Sequence, residues 1–204
     1  ENVISGYPDG TFKPGNSITR GQAAAIIAKL IKLDTAKVKD PKFKDVTTAN
    51  GFYKAIAAMA EKGIIRGYGD GRFGPNDPIT RGQMASILVK AFDLPRYDYS
   101  SHKNPFEDVK TGTGHNPNIL TIHRLGITGG TSPTKFSPNV AITRGQAAKM
   151  MQATEEAKSQ IVTLRASDFN WEQFKMYDSN HSDSGLFNAV AGSNELNGRT
   201  SDKL

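Results

Sequence analysis

Four residues recur as a unit in this chain: Thr19-Arg20-Gly21-Gln22, Thr80-Arg81-Gly82-Gln83 and Thr143-Arg144-Gly145-Gln146. Thr-x-x-Gln is a capping box: the threonine oxygen takes the amide of the third helical residue, and the glutamine reaches back to the cap's own amide. The three threonines and the three glutamines therefore have a structural role. The arginines do not fit so easily, because a cation in a first helical turn faces the positive end of the helix dipole. A compensating anion would explain Arg20, Arg81 and Arg144. Helix amides attract anions, and a guanidinium fork grips a carboxylate through two parallel hydrogen bonds. The rival explanation is an ion pair within the protein, with Asp45 or Asp108 as the acceptor.

These units are embedded in a longer repeat. Gly6-Tyr7-Pro8-Asp9-Gly10-Thr11-Phe12-Lys13-Pro14 precedes the first, and Gly67-Tyr68-Gly69-Asp70-Gly71-Arg72-Phe73-Gly74-Pro75 precedes the second. Gly129-Gly130-Thr131 through Phe136-Ser137-Pro138 precedes the third. Further upstream, Phe43-Lys44-Asp45-Val46 matches Phe106-Glu107-Asp108-Val109. The motif arginines are 61 and 63 residues apart, and self-similarity at a nearly fixed period marks a repeat architecture.

Each full copy reads helix, loop, helix. Phe52, Ile56, Met59 and Ala60 recur at helical spacing, with Gly63 placed to close the helix in a left-handed conformation. Asn116-Pro117 predicts a cap followed by proline in the first turn, ahead of Ile119, Ile122 and Leu125, with Gly126 closing. The second helix of each copy starts at its motif threonine. It carries Ala24-Ile27-Ile31, Met84-Ile87-Leu88-Ala91 or Ala147-Met150-Met151 as its apolar stripe. Between the helices lie a short apolar piece and a Gly/Pro/Asp-rich turn. The first copy has no leading helix and no Phe-x-Asp-Val segment; the reading favours a natural chain that extends further upstream. The divisions follow: 1–33 for the incomplete first repeat, 34–94 for the second, 95–155 for the third. Residues 156–204 read as a linker or the start of a further domain, with Glu155-Glu156-Ala157-Lys158 ending the last helix and an aromatic cluster at Phe169, Trp171, Phe174 and Tyr177.

Composition narrows the function. The chain has 204 residues, no cysteine and a formal charge of +6. Disulfides, cysteine-based zinc sites and thiol chemistry are excluded. Residues 1–153 hold 21 Lys+Arg against 12 Asp+Glu, and the remainder 5 against 8. A basic repeat region suits an anionic partner: an acidic polysaccharide, a nucleic acid or a membrane surface. The basic residues are scattered rather than gathered on one element, which argues against nucleic acid. Asp9-Gly10 and Asp70-Gly71 lack the oxygen series of a calcium loop. His102, His115, His123 and His181 have neither zinc nor triad spacing. No metal, cofactor or catalytic residue is assigned.

Taken together, Phe-x-Asp-Val, Gly-Ile-Ile-x-Gly-Tyr, Asp-Gly-x-Phe-x-Pro and Ile-Thr-Arg resemble the signature of the S-layer homology domains over roughly residues 1–153. The resemblance implies a mainly α fold, with three repeats in a pseudo-threefold arrangement around a central helical bundle and an irregular C-terminal tail. It implies a non-catalytic anchor on the bacterial cell surface. The partner it implies is secondary cell-wall polysaccharide bearing pyruvylated amino sugar, bound in grooves between repeats, with other S-layer subunits as further partners and neither nucleic acid nor membrane. The alternatives are the anchoring part of a larger surface enzyme such as a wall hydrolase, and a nucleic-acid-binding helical module.

On this reading Arg20, Arg81 and Arg144 take the ketal carboxylate. Gly6, Gly67 and Gly129 give either positive φ and close ligand approach or plain turn geometry. Tyr7 and Tyr68 stack on sugar, while Phe12, Phe73 and Phe136 plug the core. Asp45 and Asp108 accept from sugar hydroxyls, cap the following helix or pair with arginine. The chain departs from the family pattern in Gln22, Gln83 and Gln146, where glutamate is frequent, and in Phe52-Tyr53, where tryptophan is common. It also departs in Gly130, read as replacing the tyrosine, so the third groove is expected to bind poorly or not at all.

Overall fold

The motif helices begin where their capping boxes place them. In the computed structural model, α1 (Arg20–Leu30), α3 (Arg81–Ala91) and α5 (Arg144–Ser167) each follow a motif threonine. The threonine hydroxyls accept from the amides of Gln22, Gln83 and Gln146, all at 3.1 Å. The glutamine side chains accept in return from the amides of Thr19, Thr80 and Thr143 at 3.0–3.1 Å. The leading helices are α2 (Tyr53–Glu61) and α4 (Asn116–Arg124). They stop at Gly63 and Gly126, whose φ values of 69° and 74° end the helical path. At α4 the cap is His115 rather than Asn116, and Pro117 occupies the first turn. The Asn116 side chain instead donates to the carbonyl of Lys110.

The structure describes residues 4–96, 103–110, 112 and 114–167, with side chains as far as Ile161. Among these the fold is mainly α, with five helices and β structure only as isolated bridges. Helix α1 packs on α2 and α3 on α4, and α3 also meets α1 and α5. Ile18, Ile27, Ile56, Met59, Ile79, Met84, Leu88, Ile119 and Ile142 are fully enclosed between them. Burying side chains of this size is worth about 1.5–3 kcal/mol each, which is what holds the short helices α1 to α4 in place.

Amides of the motif arginines link the repeats in a circuit that closes on itself. The amide of Arg20 donates to Asp77 O at 2.8 Å, that of Arg81 to Val140 O at 2.9 Å, and that of Arg144 to Asn16 O at 2.7 Å. First thus meets second, second meets third, and third returns to first. Bridges Thr19–Pro78, Thr80–Ala141 and Ser17–Thr143 follow the same circuit.

Two expectations need adjustment. The last helix does not end at Glu155–Lys158 but continues to Ser167, because no glycine or proline interrupts the stretch Thr154–Ser167. Phe73 and Phe136 are buried plugs, backed by Phe43 and Phe106 at ring separations of 5.3 and 5.7 Å. Phe12 has no such backing ring among the described residues and is only partly buried. The aromatic cluster at Phe169–Tyr177, together with His102 and His181, lies outside the described residues.

Candidate functional site

The three arginines are buried, at 7%, 3% and 7% exposure for Arg20, Arg81 and Arg144. Each extends from the start of its helix into the turn of the next repeat. Arg20 Nε donates to Phe73 O and its Nη2 to Arg66 O, both at 2.8 Å. Arg81 Nε donates to Phe136 O at 2.8 Å. Arg144 Nε and Nη2 donate to Phe12 O at 2.9 Å and Ser5 O at 2.6 Å. The guanidinium groups also lie over aromatic rings: Arg20 over Tyr68 and Phe73 at 4.7 and 4.6 Å, and Arg81 over Phe136 at 4.7 Å. Arg144 lies over Tyr7 and Phe12, both at 4.8 Å. Carbonyl dipoles and ring faces thus compensate the unfavourable helix-end placement. Burial lowers the pKa of Arg20 and Arg81, opposed by nearby acidic groups, yet arginine keeps its charge throughout.

The amides of the helix starts are not open to an anion. Beyond the first amide, Gly21 N donates to Pro75 O at 2.8 Å, Gly82 N to Pro138 O at 2.9 Å and Gly145 N to Pro14 O at 3.0 Å. The third is held by the threonine cap. Gly21 is glycine for this reason: a Cβ there would lie 2.6 Å from the Phe52 ring and 2.9 Å from Pro75 O.

Asp45 and Asp108 neither pair with the arginines nor cap the following helix. Asp45 accepts from the amides of Phe73 and Gly74, both at 2.8 Å. Asp108 accepts from Phe136 and Ser137 at 3.0 and 2.9 Å. Burial pushes both carboxyls up, but the backbone donors outweigh it and hold them below the usual carboxylate range. Both therefore pin the Phe-x-Asp-Val lead of a repeat to that repeat's turn.

None of Gly6, Gly67 and Gly129 has positive φ. A Cβ on Gly67 would meet Arg72 O at 2.6 Å and the Phe43 ring at 2.7 Å; one on Gly130 would meet Lys135 O at 2.5 Å and the Phe106 ring at 2.6 Å. Gly130, not Gly129, is thus the counterpart of Gly67, and a Cβ on Gly129 would meet nothing within 4 Å. The register moves by one residue. Thr131, whose amide donates to Lys135 O as that of Tyr68 donates to Arg72 O, stands where Tyr68 stands. Gly6 approaches its own turn less closely, at 3.0 Å from Thr11 O. Tyr68 is 41% exposed and donates to Asp77 Oδ2 at 2.7 Å. The Tyr7 ring is covered by Lys13 at 4.3 Å as well as by Arg144.

Beside Arg20 a cavity of about 220 Å³ opens between repeats. Arg20 enters it from α1; Arg66, Gly67 and Tyr68 come from the turn of the second repeat; Gln83, Ser86 and Lys90 come from α3. His115 closes it from the third repeat. Its lining holds the cations Arg20, Arg66 and Lys90 and, among the described residues, no Asp or Glu. Burial, then Arg66 and Arg96, lower the pKa of Lys90, as expected where positive charges are crowded together. Sequence reading missed Gln83, Ser86, Lys90 and His115 as a group. The first three share one face at i, i+3 and i+7, a polar stripe that was available in the sequence. A second cavity of about 190 Å³ lies between the first repeat's turn and α5. It is lined by Ile4, Phe12, Ala148, Met151, Gln152 and Glu155, so among the described residues the one charge on its lining is negative.

The family model of the S-layer homology domain matches residues 1–24, 42–85 and 105–148. The chain belongs to this family. The matched segments are the three repeats, the first of them incomplete. The chain is 34% identical over 156 residues to S-layer protein EA1 of Bacillus anthracis, covering 76% of this chain and 18% of that protein. It is 35% identical over 160 residues to a protein of the same organism named as an uncharacterized cell wall amidase, covering 78% and 29%. It is 31% identical over 158 residues to the cellulosome-anchoring protein of Acetivibrio thermocellus, covering 75% and 35%. The chain therefore spans about a fifth to a third of the length of these relatives. Family membership makes it a cell-surface anchoring module associated with the cell wall. No described helix is long and apolar enough to cross a membrane.

Proposed function

We propose that this S-layer homology module is non-catalytic and binds pyruvylated secondary cell-wall polysaccharide at the cavity beside Arg20. The observation that carries this is the cavity's charge: Arg20, Arg66 and Lys90 converge on it, and among the described residues no carboxylate lines it. A pyruvate ketal places one carboxylate on a compact sugar. In a partly enclosed space, cations attract such an anion more strongly than they would in water. Arg20 is held by two carbonyls and two rings, so it meets the ligand already oriented, at little entropic cost. Tyr68 and Gln83 supply hydroxyl and amide groups for the sugar.

On this reading the arginines are first of all clasps between repeats, and only that of the first repeat also faces a ligand. Arg81 and Arg144 act on binding through the fold. The cavity bordered by Glu155 is apolar and carries a negative charge, so it takes no sugar acid. The cargo lies in the rest of a longer protein: an S-layer subunit, as EA1 is named, or an enzyme, as the amidase relative is named.

Calorimetry with a terminal pyruvylated disaccharide tests the proposal. Wild-type protein is expected to bind it and to ignore the depyruvylated sugar, and Arg20→Ala is expected to lose the binding. Equal affinity for both sugars would overturn the reading.

A further inference from the structure

One group in the cavity comes from outside the two repeats that form it. His115, the cap residue of α4, is exposed at the rim, while its ring packs on α3. Its Nδ1 lies 2.6 Å from Ser86 Oγ. Ser86 is buried and also accepts from Asn118 Nδ2 at 2.9 Å, Asn118 being buried as well. A buried two-residue support thus fixes the ring's orientation. Among the described residues nothing takes the other nitrogen, Nε2. Among the described residues, the charged groups facing the ring are Lys90 from α3 and Arg20 from α1, both cationic. Tyr68 and Arg66 share the cavity.

We propose that His115 is a ligand-contacting residue of this groove, donating through Nε2 to the bound anion and taking up one proton from solvent as the anion seats. The proposal rests on the groove being the saccharide's seat. Its chemistry follows from the support. A serine hydroxyl can donate or accept, so the Ser86–His115 bond holds with the ring neutral or protonated, the hydroxyl hydrogen rotating to suit. In the imidazolium both ring nitrogens are donors: Nδ1 to Ser86 and Nε2 to the ligand. In the free protein the neutral ring is favoured, because burial first, then Lys90 and Arg20, hold its pKa below the ordinary value. A carboxylate between these groups neutralises the two cations that oppose protonation and adds an attraction of its own. Binding and protonation therefore favour each other, and affinity rises as pH falls through the range where histidine titrates. The ketal carboxylate stays ionised over that range.

The test is calorimetry of the full chain with the terminal pyruvylated disaccharide at about pH 5.5, 6.5 and 8, in two buffers of different ionisation enthalpy. The expected result is net proton uptake near the middle of the range, and an affinity about threefold or more higher at the acid end. His115→Gln keeps a donor and an acceptor at the rim and is expected to flatten the pH profile while binding persists at alkaline pH. As a second readout on the unaltered protein, the His115 ring resonance is expected to titrate at higher pH with the disaccharide bound. Binding with no proton uptake, or an unmoved His115 titration, would overturn this inference and leave the groove reading intact. Failure of the disaccharide to bind at any pH would overturn both.

Discussion

Arg20 does two things that one substitution would confuse. It clasps the second repeat through Phe73 O and Arg66 O, and it lines the cavity. Arg81 clasps the third repeat through Phe136 O and does not line that cavity. Charged hydrogen bonds of this kind contribute about 1.5–3 kcal/mol. Both arginine-to-alanine variants are therefore expected to lower the denaturation midpoint, Arg20→Ala more because it loses two carbonyl bonds against one, while only Arg20→Ala abolishes saccharide binding under conditions where both are folded. Lys90 separates the roles more cleanly. Lys90→Met keeps the aliphatic stem and removes the charge, so it is expected to weaken binding about tenfold, equivalent to about 1.4 kcal/mol, with little change in unfolding. Calorimetry beside a urea melt checks both pairs. The carboxylates Asp45 and Asp108 hold the turns through backbone amides. Asp45 and Asp108 have depressed pKa values, so the stability they provide is complete above the usual carboxylate range and is lost as pH falls through their folded-state values. Asp108→Asn is expected to cost about 1 kcal/mol at neutral pH, below the range for buried charged bonds because the site is partly exposed. Thermal melts across the acid range would show a shallower acid loss for this variant.

At the scale of the elements, what was local in sequence was legible. The capping boxes span three residues, and threonine and glutamine at that spacing state their own geometry. Thr80→Ala should accordingly cost about 1 kcal/mol in a denaturant titration. Glycine closure at Gly63 and Gly126 was readable for the same reason. The arginine partners were not readable, since they are carbonyls 46 to 139 residues distant and a carbonyl has no residue-type signature. The role of Gly21 was hidden likewise, because its neighbours are Phe52 and the backbone of Pro75. Gly21→Ala must push these apart, and overpacking of this kind costs about 1–3 kcal/mol; a urea melt gives the value. The one-residue slip between Gly129 and Gly130 arose because the third copy offers two adjacent glycines. Only their tertiary neighbours, Phe106 and Lys135, tell them apart.

Across the whole molecule, the repeats hold one another through a circuit of backbone and arginine bonds from first to second to third and back to first. Three near-copies need not be equivalent within it. The second repeat has both Phe43 behind Phe73 and a cationic cavity; the first has Phe12 only partly buried; the third presents Glu155 toward its neighbour. On the proposed function, one strong binding groove is the expected consequence. The anchoring family was readable from the thrice-repeated motif, but the proposed groove depends on Lys90, Arg66 and His115 meeting Arg20 in space. The most direct measurement is a crystal structure of this chain with the terminal pyruvylated disaccharide. The expected result is the ketal carboxylate in the cavity between Arg20, Lys90 and Tyr68. Saccharide bound on another surface, with that cavity filled only by solvent, would contradict it.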